Sequence, residues 1–167
     1  MTRASDLAKL LGAGATILDG TTITTADNDP QLILTSTDAD ANRGPELHFV
    51  RDSASPADND LCGTIKAFGK NSAGEDVQLS EIIFRNEDVT DGTEDGQIIL
   101  NMMRNGASAQ VMKLSSTETV LNGDSLDLDF RIESDNNANA FFVQGSDGNV
   151  GIGTSSPSNL LSIDASG

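Results

Sequence analysis

From Leu126 to Glu133 apolar and charged residues alternate without an error, with Leu126, Leu128, Phe130 and Ile132 in one set and Asp127, Asp129, Arg131 and Glu133 in the other. A period of two is the mark of a strand with one buried and one wet face. Such a face must be covered by something apolar, and this chain has little to offer. Leu, Ile, Val and Phe together number 40 of the 167 residues, and Trp and Tyr are absent, which is near the floor for a chain that builds its own core. A single cysteine, Cys62, excludes an intrachain disulfide as the compensating device. The expectation is an all-β, thinly packed chain that completes its core by self-association, most simply as three copies pooling apolar faces about a threefold axis.

The punctuation divides the chain into three parts. Residues 1–29 are expected to form a short N-terminal helix and an arm. Leu7, Leu10 and Leu11 share a helical face, Thr2 and Ser5 can cap, Asp6 and Lys9 suit the two ends of the dipole, and Gly12 stops it. Residues 30–122 hold strand-like runs at Leu32 to Ser36, Glu46 to Arg51, Leu61 to Phe68, Val77 to Asn86, Gln97 to Arg104, Ala109 to Leu114 and Thr119 to Leu121. Seven short strands with turn formers between them predict a small antiparallel sandwich or jelly-roll-like domain. Asp91-Gly92 with Asp95-Gly96, and Asn105-Gly106, are suited to tight hairpins. Residues 123–167 read as single strands joined by turns, with Gly151 and Gly153 flanking Ile152, so that another backbone can approach closely.

Twenty-six acidic against ten basic side chains give a formal net charge of -16. That surplus repels a phosphate backbone, so neither nucleic acid nor an anionic membrane is an expected partner. No apolar run approaches the roughly 20 residues of a membrane span, and membrane insertion is not expected.

Chemistry-bearing residues are sparse. The one histidine, His48, lies between Leu47 and Phe49 and reads as a strand-surface residue, with a general base as the alternative. Cys62 has no sequence neighbour that would lower its pKa, and reads as a small buried hydrophobe. The glycines at 148, 151 and 153 are followed by no strand-to-helix transition, which disfavours a dinucleotide loop. Asp38 to Asn42 begins like a calcium loop, but Arg43 and Phe49 stand where the glycine and the bidentate glutamate belong. The turns at Asp58-Asn59-Asp60 and Asp88 to Asp95 read as solvated acidic turns, with irregular calcium binding as the alternative. No catalytic, metal or cofactor site is expected.

The stretch Asp129-Phe130-Arg131-Ile132-Glu133-Ser134-Asp135, then Phe141-Phe142-Val143, then Gly148-Asn149-Val150-Gly151-Ile152-Gly153-Thr154-Ser155-Ser156-Pro157, resembles the repeat of tailed-bacteriophage tail-fibre proteins. In that family the element sits in trimeric fibre shafts. Ser53 to Asp58, Gly63-Thr64-Ile65, Asn71 to Glu75 and Asp91 to Gly96 are similar to a module of marine phage fibres, and Met1 to Ala8 is similar to the starts of such fibres, where the N-terminus commonly attaches to the virion. The residues are expected to form either the virion-proximal part of a longer fibre or a short fibre in its own right. The resemblance implies a non-enzymatic virion protein, a homotrimeric tail fibre linking the particle to host-binding elements. Leu7, Leu10 and Leu11 would dock on tail or capsid proteins, Leu126, Leu128, Phe130, Ile132, Val150 and Ile152 would pack the trimer, and a distal part would meet a host surface receptor. The alternatives are a capsid decoration or head-fibre protein and a carbohydrate-binding module. The last is disfavoured because sugar platforms use exposed Trp or Tyr.

Overall fold

A computed structural model describes residue 20 and residues 22–164. The expected helix, with Leu7, Leu10 and Leu11, lies outside the described residues. The chain divides into two compact units, one ending at His48 and one starting at Phe49.

The described part of the first unit holds neither helix nor strand, and its residues are exposed. Short side-chain bonds shape it locally: Asp38 Oδ1 accepts the Asp40 N–H at 3.3 Å and Asp40 Oδ1 accepts the Asn42 N–H at 2.8 Å. The strand expected over Leu32 to Ser36 does not form. Leu32, Ile33 and Leu34 have the composition of a strand, but a strand exists through its ladder, and this run has no ladder partner.

The second unit is all-β, as expected, and its nine strands form two sheets. Sheet one is an antiparallel meander of β1 (Leu61–Lys70), β2 (Asp76–Asp88), β3 (Asp95–Arg104), β4 (Ala107–Leu114) and β5 (Thr119–Leu121), in chain order. Asp91-Gly92 lies in the turn between β2 and β3, whereas Asp95-Gly96 opens β3 itself and makes no turn; two other hairpins show a local cause. Between β1 and β2, Asn71 Oδ1 accepts the N–H groups of Ala73 and Glu75 at 2.9 and 3.0 Å, and Gly74 takes φ 81°. Between β3 and β4, Asn105 and Gly106 both have positive φ, 49° and 81°, as a two-residue type I′ turn requires.

Sheet two comprises β6 (Phe130–Ile132), β7 (Phe141–Val143), β8 (Val150–Ile152) and β9 (Leu161–Ile163). The first three run antiparallel, whereas β9 lies parallel to β8. The connection doubles back tightly: Leu160 C=O accepts from Val150 N–H and Ile152 C=O from Asp164 N–H, at 2.9 and 2.8 Å.

Two further expected strands are corrected. Glu46 to Arg51 forms none, because it too has no ladder partner; within it Phe49 stacks on Phe84 with ring centroids 5.8 Å apart, and Arg51 pairs with Asp60 at 2.9 Å. The perfect alternation of Leu126 to Glu133 yields strand only at Phe130–Ile132. Upstream, the groups a ladder would need are already used. Leu126 N–H donates to Asn122 Oδ1 at 3.0 Å, Leu128 N–H donates to Leu126 C=O at 2.8 Å, and Arg104 donates to Asp127 C=O.

The core is small. Among the described residues Ile99, Ala109 and Phe142 form the buried hydrophobic core, at 7%, 5% and 6% exposure, with Gln97 the buried polar side chain. No described side chain is completely enclosed.

Candidate assembly surface

Register shows where the apolar side chains go. In sheet two Phe130 faces Val143, Val143 faces Val150, and Val150 faces Leu161. This row crosses all four strands. The next positions on the same face are Ile132 opposite Phe141 and Ile152 opposite Ile163. The reverse face carries Arg131, Phe142, Gly151 and Ser162. One face of sheet two is thus wholly apolar, and it stays open: Ile132, Leu161 and Ile163 are 50%, 57% and 68% exposed. Phe130 finds one neighbour in Phe141, edge to face at 6.2 Å.

Four of the six residues expected to pack the trimer, Phe130, Ile132, Val150 and Ile152, therefore share this face. Leu126 and Leu128 precede it as half-buried residues of the irregular lead-in and line a cleft of about 440 Å³ with Leu121, Phe130 and Val143. Phe141, Val143, Leu161 and Ile163 complete the face. The expected docking residues Leu7, Leu10 and Leu11 lie outside the described residues.

The glycines of this region permit close backbone approach, as their spacing suggested. A Cβ on Gly151 would lie 2.2 Å from Thr154 O, and one on Gly153, whose φ is 80°, would lie 2.5 Å from Asp164 O. The same holds for Gly145, where a Cβ would meet Leu128 N at 2.3 Å. Its N–H donates to Asp129 Oδ1 at 2.9 Å. Asp129 thereby ties the lead-in to the turn after β7.

Sheet one repeats the pattern on a larger scale. Ile65, Ile82, Leu100, Met112 and Leu121 stand opposite one another across all five strands. Beside them runs Gly63, Phe84, Ile98, Leu114 and Thr119, covered at one end by Phe49, which occupies the space a Cβ on Gly63 would need. On the other side stand Ala67, Ser80, Met102 and Ala109. None of these positions is charged. The reverse face carries Lys66, Glu81, Asn101 and Gln110 in register, with Lys66 Nζ 3.2 Å from Glu81 Oε1.

The residues with possible chemistry are dispersed. His48 Nε2 lies 2.8 Å from Glu46 Oε2, and both side chains are exposed. His48 is not on a strand, in contrast to the sequence expectation. Cys62 is half-buried, not buried, and its thiol points to Asn86 Oδ1 at 3.1 Å. The acidic turns use their carboxylates as backbone caps: Asp58 Oδ1 accepts Val89 N–H at 3.0 Å and Asp60 Oδ2 accepts Ala57 N–H at 3.1 Å. The Thr90 hydroxyl and then its backbone N–H hold the Asp88 carboxyl below its usual pKa. Asn42 does the same for Asp40, through backbone first and side chain second. Among the described residues no group of three His, Cys, Asp or Glu side chains is arranged to hold a metal ion.

The second unit thus presents two largely apolar sheet faces in a chain of net charge -16. Comparison with family models and with curated proteins returns no match to this chain.

Proposed function

We propose that the chain is a non-enzymatic structural protein of a tailed-bacteriophage virion, a homotrimeric fibre segment in which the apolar faces of three second sheets meet around a common axis. The observation that carries this is the open face of Phe130, Ile132, Val143, Val150, Leu161 and Ile163. Strands of three residues are too short to bury it within one copy, and a threefold arrangement covers all three faces at once. The resemblance of residues 129–157 to fibre-shaft repeats supplies the virion setting. In that setting the work is mechanical, holding host-binding elements away from the particle, while the N-terminal part docks on tail or capsid proteins.

Two experiments test this. Electron microscopy of phage particles labelled with antibody against the chain is expected to mark tail fibres; label on the capsid shell would transfer the protein to the head-fibre or decoration role, and particles without label would overturn the virion role. Ile132→Asp probes the interface itself. Ile132 is half-exposed in the single copy, so the substitution leaves the fold intact and is expected to disperse the trimer. A folded variant of unchanged native mass would refute packing through sheet two.

A further inference from the structure

We propose that the apolar face of sheet one is a second self-association surface, covered in the assembly by another copy of the same chain. The proposal rests on the trimeric reading above and extends it to residues that reading does not use. The row from Ile65 to Leu121 crosses five strands without a polar residue. At about 4.8 Å between strands it spans about 19 Å, and with its two flanking rows the patch covers roughly 300 Å² in projection. That lies at the lower end of the largest apolar patch on a typical monomer, a size that is often functional; Phe49 covers one end and Ala109 is buried, while Ile65, Met102 and Leu121 are 46%, 46% and 42% exposed.

Continuity and charge identify the occupant. Leu121, the last residue of the row, lines the same cleft as Leu126, Leu128 and Phe130, so the face of sheet one runs into the surface assigned to trimer packing. Alone, the patch is less than half of the roughly 800 Å² that each partner contributes to a standard interface. Joined to the open face of sheet two, it forms one apolar surface larger than either face alone. Charge points the same way. The chain carries a net charge of -16, and identical copies repel wherever carboxylates meet. The rows on this face hold no charged residue, whereas Glu81 sits on the reverse face with Lys66. Like copies can therefore approach here without opposing carboxylates.

The test uses the full chain and its Ile65→Glu and Leu121→Glu variants, with native mass followed over a dilution series and folding checked by far-UV circular dichroism. Ile65→Thr, which keeps the β-branch, replaces Ile65→Glu if that variant loses its strand signal. Each folded Glu variant is expected to raise the concentration of half-assembly by about tenfold or more, since a charge would be buried at every contact, and Ile65→Thr, which buries a hydroxyl in place of apolar surface, is expected to raise it in the same direction. A trimeric parent whose variants assemble like the parent overturns this inference, and dispersal of Ile132→Asp in the same series would leave sheet two as the interface. Dispersal by Ile65→Glu or Leu121→Glu but not by Ile132→Asp supports the inference and sinks packing through sheet two. A monomeric parent overturns both.

Discussion

Gly145 is the position where one added carbon should cost most. A Cβ there would lie 2.3 Å from Leu128 N, 2.6 Å from Leu128 C and 2.7 Å from Leu128 O. All three are backbone atoms, so no side-chain rotation can relieve the contact, and the lead-in to β6 must move. Overpacking of this kind costs about 1–3 kcal/mol. The movement also pulls Asp129 from the Gly145 N–H, a charge-assisted bond worth roughly another 1 kcal/mol or more. Gly145→Ala should therefore lose about 2–4 kcal/mol, which at a urea slope near 2 kcal/mol/M lowers the midpoint by about 1–2 M. Gly96, in β3, is the matched control, because nothing lies within 4 Å of its would-be Cβ and its φ is ordinary. Gly96→Ala should hold or raise the midpoint, by up to about 1 kcal/mol. The assay is urea unfolding followed by far-UV circular dichroism, since the chain has no Trp or Tyr for fluorescence. Equal midpoints for the two variants would refute the close packing of Gly145 on Leu128.

Other outcomes follow from the same geometry. Phe142 is the one buried aromatic side chain, so Phe142→Ala should cost about 3–5 kcal/mol in the same assay, and a loss under about 1 kcal/mol would mean that sheet two has no core of its own. Asp88 should titrate below 3.8, because the Thr90 hydroxyl and N–H favour its charged form. A depressed folded-state pKa gives stability that is present above the unfolded carboxylate's pKa and is lost as pH falls through the folded one. The deficit of Asp88→Asn relative to the parent should thus be full at neutral pH and vanish at strongly acid pH; a carboxyl resonance titrating at or above 3.8 contradicts this.

The sequence made the strand content of the second unit legible where alternation coincided with turn chemistry. The runs from Leu61, Val77, Gln97, Ala109 and Thr119 all appear as strands, and Asn105-Gly106 forms the hairpin its residues suit. Leu32 to Ser36 failed because apolar β-type composition does not supply a ladder partner. Leu126 to Asp129 failed for a different reason: the Asn122 side chain and Arg104 take the backbone groups that pairing would need. Burial nonetheless alternates from Leu126 to Phe130, so the pattern reported the buried side correctly while missing the backbone that delivers it. The face of sheet one escaped notice because its rows exist only across strands. Ile65, Ile82, Leu100, Met112 and Leu121 are far apart in sequence, and a bulge after Leu100 shifts the register of β4 in a way that no local pattern encodes.

Self-association is the claim on which the rest depends, and the native mass of the purified full chain tests it most directly. Light scattering or native mass spectrometry at physiological salt should give three times the 17.4 kDa chain mass. A monodisperse species at the single-chain mass, with its strand signal intact, would contradict the account.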